Sequence, residues 1–185
     1  MRAMPILETD RLIIRPFSAN ELDGVHKLFD EDIDPPGWER EVRAEWLNWA
    51  AANPRGLELV GQPPYGDRAV ALKDGTLVGS VGLVPEVCAL PREGLAGKAP
   101  YSQAEVGLYW AIAPAHRRQG YAVEAARTLI EHMFAVERLW RVIAQTSAEN
   151  AASQGVMRRL GMRIFRIENP DPSWMQVVGV LENEG

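Results

Sequence analysis

Cysteine is nearly absent from this sequence of 185 residues, in which Cys88 is the single example. One cysteine can neither form a disulfide within the chain nor complete a zinc site, and a lone cysteine is typical of proteins in a reducing compartment. We therefore expect a cytoplasmic protein whose stability comes from its hydrophobic core, which a chain of this length is able to bury without a structural metal.

Long hydrophobic runs and excess positive charge are also missing. No stretch approaches the roughly 18 apolar residues of a membrane-spanning helix. Glu8, Asp10 and Arg11 interrupt the N-terminal segment before a secretory core forms. The 20 Lys and Arg are outnumbered by 25 Asp and Glu, whereas nucleic-acid binding requires clustered cations. We predict neither a membrane partner nor a nucleic-acid partner.

Short strand and helix patterns alternate along the chain, with no internal repeat and no linker between domains. They predict one domain over residues 1–185, of the α/β (α+β) class, in the order β-α-α-β-β-β-α-β-α-β-β. A capping box at Ser18 and Glu21 begins the first helix, and the turn at 73–75 closes a hairpin. Asn150 is a good N-cap for the last helix, and Gly161 is placed to end it.

Tryptophan spacing predicts a second helix at 39–52, with Trp38, Trp46 and Trp49 burying one of its faces. Proline and glycine between Pro85 and Ser102 predict a long surface loop. A helical face formed by Ala122, Ala126, Leu129, Ile130 and Met133 predicts the helix after residue 120.

The segment from Pro114 to Ala122 joins a predicted strand to this helix. The first turn of a helix has backbone N–H groups without intrahelical partners and the positive end of the dipole, so it binds anions such as pyrophosphate. Gly120 lets the backbone approach a phosphate closely. An ordinary strand-to-helix turn is the alternative that the pattern alone favours. The motifs G-x-x-x-x-G-K-[ST] and G-x-G-x-x-G after a strand are absent, which disfavours nucleotide hydrolysis and dinucleotide redox chemistry.

Residues 104–162 resemble the core of the GNAT superfamily of acyl-CoA N-acyltransferases. The signature [Q/R]-x-x-G-x-[G/A] is present from Arg117 to Ala122, and AENAASQGVMRRLGM resembles the helix that ends in L-G-F. The opening ETDRLIIRPF is similar to the branch that contains the ribosomal-protein alanine acetyltransferases. The resemblance implies a mixed, mostly antiparallel sheet of about seven strands flanked by helices. Splayed parallel strands at 104–112 and 141–146 would form a V-shaped acetyl-CoA cleft.

The activity implied by this resemblance is acetyl-CoA-dependent N-acetyl transfer to a primary amine by direct attack, with acetyl-CoA as cosubstrate and no metal. Backbone N–H groups from Arg118 to Ala122 would bind the pyrophosphate, and one near Trp110 to Ile112 would bind the oxyanion. The residues implied in cofactor binding are Trp110, Ala111, Ile112, Arg117, Arg118, Gln119, Gly120, Tyr121, Ala122, Asn150 and Ser153. The alternatives to cofactor binding are that the side chains of Arg117 and Arg118 are solvated and that Asn150 is purely a structural N-cap.

The attacking amine must be neutral, so a base is required, and Glu105 on the strand that lines the cleft is the candidate. A solvent-facing or salt-bridged Glu105 is the alternative. Many relatives protonate the leaving thiolate with a Tyr where this chain has Met157, so Ser153 is the candidate in its place, or else ordinary helix filling. An acid at Glu124 is adequately explained by the helix dipole.

The acceptor stays open between a ribosomal or other protein N-terminus, a free amino acid, a polyamine and an aminoglycoside-like compound. The acidic balance slightly favours a cationic acceptor, and one of the tryptophans could instead border its pocket. The oligomeric state is also open, with a homodimer as one option. The rival functions are a noncatalytic acyl-CoA-binding module, suggested by Met157, and a structural protein with a Trp-rich interface. His26, His116 and His132 are too dispersed for a metal site or a hydrolase triad.

Overall fold

The structure is a computed structural model that describes residues 4–88, 103–168, 170 and 172–185, without the side chains of Cys88 and Gln103. The described residues form eight strands and four α-helices. The strands are β1 Leu7–Glu8, β2 Leu12–Arg15, β3 Gly66–Leu72, β4 Leu77–Cys88, β5 Gln103–Ile112, β6 Arg141–Thr146, β7 Arg163–Arg166 and β8 Val177–Glu182. The helices are α1 Leu22–His26, α2 Arg40–Leu59, α3 Tyr121–Ala135 and α4 Ala151–Leu160.

The strands follow the order β1-β2-β3-β4-β5-β6-β8-β7. Pairing is antiparallel between β1 and β2, β2 and β3, β3 and β4, β6 and β8, and β7 and β8. It is parallel between β5 and β6, where Gly107 is opposite Ile143. This confirms the predicted mixed, mostly antiparallel sheet. The strand beyond the expected seven is β1, whose two residues are too few to show a periodic pattern.

The chain forms two compact units. Unit 1 contains Met1–Leu83 and Tyr109–Arg138, and unit 2 contains Val84–Leu108 and Leu139–Gly185. Strands β4 and β5 contribute residues to both units. The single domain expected over residues 1–185 stays a prediction.

Unit 1 has an aromatic core between its N-terminal helices and the strands. The ring of Trp46 packs edge-on against Phe17 and Phe29, with centroids 5.4 and 5.5 Å away. Helix α2 contacts β3, while α3 contacts β1 and β2. The predicted face of α3 is buried from Ala125 onward, whereas Ala122 is only half-buried.

The core of unit 2 lies between α4 and strands β6, β7 and β8. Ile143, Val178 and Val180 form a second buried cluster, on the face of β8 opposite to Gly179, because alternate residues of a strand point to opposite faces. Met157 on α4 is fully buried. A Cβ at Gly179 of β8 would lie 3.2 Å from the Cγ and Sδ atoms of Met157, so the glycine allows the methionine to pack closely on the strand. Met157 is therefore a core residue, which explains why an apolar side chain occupies this position.

Local sequence signals position the ends of several elements as predicted. Ser18 and Glu21 form the reciprocal capping box, and the Ser18 N–H donates to Glu21 Oε2 at 2.7 Å. The Gly75 N–H donates to the Leu72 carbonyl at 3.0 Å in the hairpin turn. Gly161 ends α4 with a φ of +84°.

Two predicted boundaries at proline are wrong. Helix α2 continues through Pro54 to Leu59 instead of ending near residue 52. A proline removes one backbone donor from a helix but does not prevent the following turns from forming when tertiary contacts support them. Strand β4 likewise continues past the exposed Pro85 to Cys88, because a proline is tolerated in a strand where its missing N–H would face solvent. Residues 89–102 of the predicted loop lie outside the described residues.

The prediction that three tryptophans bury one face of α2 is also wrong. Trp38 is 49% exposed and Trp49 is 55% exposed, whereas Trp46 is half-buried. The buried face instead contains Arg43, Leu47 and Ala50. Arg43 forms a buried ion pair on this face of α2.

Asp30 is the partner of Arg43 in this buried cluster. The Nε and Nη2 groups of Arg43 each donate to Asp30 at 2.7 Å, and the Trp38 N–H donates at 2.8 Å. His26 Nδ1 lies 2.9 Å from the same carboxylate. Burial by itself would raise the pKa of Asp30, but the hydrogen bonds from Arg43, Trp38 and His26 and the charge of Arg43 lower it to about 2.

Replacing Asp30 tests this cluster. We expect Asp30→Asn to lower the free energy of unfolding by about 3 kcal/mol at pH 7, because Arg43 loses its buried carboxylate. The pKa of Asp30 is lower in the folded state, so its stabilisation is present above pH 3.8 and is lost as the pH falls through about 2. Urea unfolding from pH 7 to pH 2 measures both effects.

Asp23→Asn is the matched control, because the Asp23 side chain is 88% exposed and pairs with the half-exposed Arg40. We expect no measurable change for this variant. Equal urea midpoints for the two variants would contradict the role assigned to Asp30.

Candidate functional site

The turn between β5 and α3 lies in unit 1 and has an unusual backbone. A short 3₁₀ turn at Pro114–His116 is followed by Arg118 with a φ of +62° and Gly120 with a φ of +86°. Left-handed conformations are unfavourable for residues with a Cβ, so glycine suits the position directly before the helix. The chain therefore reverses sharply and enters α3 at Tyr121.

The N-terminus of α3 has no capping side chain. Gly120 is the N-cap residue and cannot supply one, and its carbonyl accepts the first helical hydrogen bond from the Glu124 N–H at 3.0 Å. The N–H groups of Tyr121, Ala122 and Val123 precede that bond at the positive end of the helix dipole. The arrangement therefore fits an anionic group such as a pyrophosphate.

Arg11 on the N-terminal side of β2 holds this turn in place. Its Nη1 group donates to the Gln119 carbonyl at 3.1 Å, and its Nε group donates to Glu124 Oε2 at 2.8 Å. The guanidinium also lies over the Tyr121 ring, 4.7 Å from the centroid. Thr9 Oγ1 donates to the other Glu124 oxygen at 2.5 Å. The turn is thus tied to a separate strand of the sheet.

Glu124 has a structural role in this anchor. Burial favours a raised pKa for Glu124, but hydrogen bonds from Arg11 and Thr9 and the charge of Arg11 hold that pKa below its usual range. The ionised carboxylate in the first turn of α3 also interacts favourably with the helix dipole, as expected from the sequence.

The two arginines of the signature are exposed, and Arg117 is bound to the backbone. Its Nε group donates to the Ile112 carbonyl at the end of β5, at 2.9 Å. Trp110 and Ala111 are half-buried and Ile112 is buried. Cofactor contacts by these residues and by Gln119 and Tyr121 stay predictions.

Asn150 and Ser153 begin helix α4 in unit 2. Asn150 Oδ1 accepts a hydrogen bond from the Ser153 N–H at 2.9 Å, which confirms Asn150 as an N-cap. Ser153 is half-buried, and its hydroxyl has no hydrogen-bond partner among the residues that the structure describes. It lies one helical turn before the buried Met157, so a polar group is available near this end of α4.

Glu105 forms a buried ion pair with Arg141, also within unit 2. The Glu105 side chain is only 4% exposed. Arg141 binds it with two groups, since Nε donates to Oε2 at 2.9 Å and Nη2 donates to Oε1. Glu105 is therefore salt-bridged, which was the alternative to a catalytic role. The role of Glu105 as a base stays a prediction.

A sequence profile described as an acetyltransferase (GNAT) domain matches residues 11–163. This chain belongs to the GNAT acetyltransferase family. A Bacillus subtilis protein named as the uncharacterized N-acetyltransferase YjdG is 28% identical over 94% of this chain and 99% of its own length.

Solved structures share the fold of this GNAT chain. An acetyltransferase from Agrobacterium tumefaciens has a TM-score of 0.70 at 20% identity, covering 98% of this chain and 96% of its own. A RimL ribosomal L7/L12 alpha-N-protein acetyltransferase in complex with coenzyme A has a TM-score of 0.66 at 14% identity, covering 96% and 98%.

Two further acids of this GNAT acetyltransferase were not singled out from its sequence. Glu86 near the end of β4 is half-buried, and burial and then the charge of Glu105 raise its pKa. Asp67 on β3 in unit 1 also has a raised pKa because of burial, partly opposed by Arg43. Glu86 was missed because Pro85 indicated a loop, whereas β4 continues to Cys88.

Within residues 4–88, 103–168, 170 and 172–185, no cluster of three or more His, Cys, Asp or Glu side chains is suited to a metal ion. No helix in these ranges combines the length and hydrophobicity that crossing a bilayer would require.

Removing the Arg11 side chain tests the anchor of the turn. We expect Arg11→Ala to accelerate amide hydrogen exchange of residues 124–127, the first hydrogen-bonded N–H groups of α3, about tenfold, because hydrogen bonds worth about 1 kcal/mol each are lost. Exchange followed by mass spectrometry measures this. Lys73→Ala, which removes an exposed ion pair to Glu8, is the control and should leave this segment unchanged. Unaltered exchange in Arg11→Ala would show that the turn does not depend on Arg11.

Proposed function

We propose that this protein transfers the acetyl group of acetyl-CoA to a primary amine by direct attack of the amine on the thioester. The observation that carries the proposal is the uncapped N-terminus of α3, where Gly120 has a φ of +86°. Membership of the GNAT acetyltransferase family supports the same chemistry.

The residues of the turn fit the diphosphate of coenzyme A. Gly120 has no Cβ, so the backbone around it is accessible to a bulky anion, and the first N–H groups of α3 donate toward it. Arg117 and Arg118 add positive charge at the turn. Acetyl-CoA supplies a thioester whose thiolate is a good leaving group.

Three steps are then assigned to this chain. A carboxylate takes a proton from the ammonium, for which Glu105 is the candidate from the sequence. A backbone N–H near Trp110 to Ile112 binds the carbonyl oxygen as negative charge develops on it. The Ser153 hydroxyl donates a proton toward the sulfur, and its lack of a partner among the described residues supports this role.

The acceptor that we propose is a cationic primary amine, which an acidic protein attracts. A protein N-terminus is one candidate, because a structural relative is named for an alpha-N-protein acceptor. Amino acids, polyamines and aminoglycoside-like compounds are the others. The lone cysteine of the sequence supports our proposal of a cytoplasmic location.

A noncatalytic acyl-CoA-binding module is the second candidate, favoured by one observation. Met157 is a fully buried core residue where many relatives have a Tyr that protonates the thiolate. Free-thiol release with a panel of amines distinguishes the two functions. Acetyl-CoA binding without thiol release from any amine would favour the module.

Gly120→Glu tests the proposed phosphate site. We expect this variant to lose acetyl-CoA binding, because it places a carboxylate where an anion is proposed to bind and forces a residue with a Cβ into a left-handed backbone. Isothermal titration with acetyl-CoA measures the affinity. Gly75→Glu, at a φ of +92° in the β3–β4 turn and with nothing within 4 Å of the added Cβ, is the matched control. Unchanged affinity in Gly120→Glu would contradict the site.

Ser153→Ala tests the proposed proton donor. We expect kcat to fall about tenfold, because a thiolate needs less assistance to leave than a more basic group. Thiol release under saturating substrate measures kcat. Ser147→Ala in the loop before α4 is the control. Identical kcat values for the parent and Ser153→Ala would remove Ser153 from the mechanism.

A further inference from the structure

Two carboxylates of unit 2 share one face of the sheet. Glu105 and Gly107 are two residues apart on β5, so their Cβ positions point to the same face. Glu86 from β4 lies over that face, because a Cβ built on Gly107 would be 2.2 Å from its Oε1 atom and 2.6 Å from its Cδ atom. The absence of a side chain at Gly107 is therefore what allows the Glu86 carboxylate to lie there.

The two carboxylates differ in their partners. Both oxygens of Glu105 are occupied by the guanidinium of Arg141. Taking a proton at Glu105 would therefore disrupt a buried bidentate pair. Glu86 is half-buried and has no hydrogen bond or ion pair among the described residues. No described residue therefore occupies its oxygens.

The pKa of Glu86 also lies above the usual value of a glutamate. Burial raises its pKa, and the negative charge of the neighbouring Glu105 raises that pKa further. A carboxylic acid whose surroundings raise its pKa is a recurrent proton acceptor in enzymes. Among the described residues, Glu105 on β5 is the charged group whose field acts on Glu86.

Glu86 lies at the strand beside which the thioester is proposed to bind. Gly107, on which it lies, is opposite Ile143 at the parallel pairing of β5 and β6. The acetyl thioester is proposed above to bind beside β5. A carboxylate at Gly107 thus lies on the strand that the acceptor amine has to approach.

We propose that Glu86 is the catalytic residue that takes the proton from the acceptor ammonium, and that the Glu105–Arg141 pair is a positioning element beside it. This assignment rests on the acetyl transfer proposed above. One ammonium proton passes to Glu86, and the neutral amine forms a C–N bond to the thioester carbonyl carbon. The C–S bond then breaks with its electron pair on sulfur. The Ser153 hydroxyl gives its proton to the thiolate and takes the second nitrogen proton in exchange.

Two substitutions separate the roles of the carboxylates. We expect Glu86→Gln to lower kcat/KM by at least 100-fold, to remove the acidic limb of its pH profile and to leave acetyl-CoA affinity unchanged. Glu105→Gln should keep that limb but move it to lower pH, because the negative charge that favours protonation of Glu86 is lost. The opposite pattern, with the limb retained in Glu86→Gln and lost in Glu105→Gln, would overturn the assignment.

Gly107→Ala is a third variant, which keeps both charges. The added methyl group would displace the flexible Glu86 side chain, so we expect kcat/KM to fall at least tenfold with the fold retained. Gly155→Ala in α4, where nothing lies within 4 Å of the added Cβ, is the matched control and should keep the parent value. Parent activity in Gly107→Ala would contradict the proposed position of the carboxylate.

A measurement without turnover distinguishes failure of this assignment from failure of the proposed function. We expect carbon-13 NMR of the carboxyl groups to show Glu86 titrating above the ordinary range of a glutamate, and at lower pH in Glu105→Gln. An ordinary titration of Glu86 that does not respond to Glu105→Gln overturns the assignment, whether or not the parent releases thiol. Absence of thiol release from the parent with every amine would overturn the proposed transfer, and with it the catalytic role of Glu86.

Discussion

The left-handed backbone at Gly120 is the constraint on which the candidate site depends. Because this residue has no side chain, α3 begins without a cap, and its first N–H groups stay available at the positive end of the dipole. Arg11 stabilises the turn from outside the helix through Gln119 and Glu124. The anion-binding geometry is thus built into the backbone and does not require a side chain to rearrange, which reduces the cost of binding.

An arginine side chain binds a buried carboxylate in each of the two units. Asp30 is held by Arg43 in unit 1, and Glu105 is held by Arg141 in unit 2. Such pairs compensate the cost of removing a carboxylate from water. Glu86 is half-buried and has no such partner among the residues that the structure describes, and this contrast is the reason for assigning proton transfer to it and positioning to Glu105.

Sequence reasoning was accurate where a structural requirement is local and was wrong where packing competes with a local signal. The caps at Ser18 and Asn150 agree with the structure because a capping side chain and the N–H it binds are within three residues. Pro54 and Pro85 were interpreted as boundaries, yet an element and its contacts continue past each. Trp49 is exposed because the face of α2 that packs into the core contains Arg43, Leu47 and Ala50 instead.

The sequence by itself determined the strand–turn–helix motif around Gly120, the N-cap of α4 and the resemblance to the GNAT acetyltransferases, because these features are carried by residues close together in the chain. Tertiary structure alone decided that Glu105 is the acid paired with an arginine. Arg141 is 36 residues from Glu105, and only the parallel register of β5 and β6 brings them together. It also placed Glu86 over Gly107, because contacts between strands depend on register, and a pattern of residue types does not specify register.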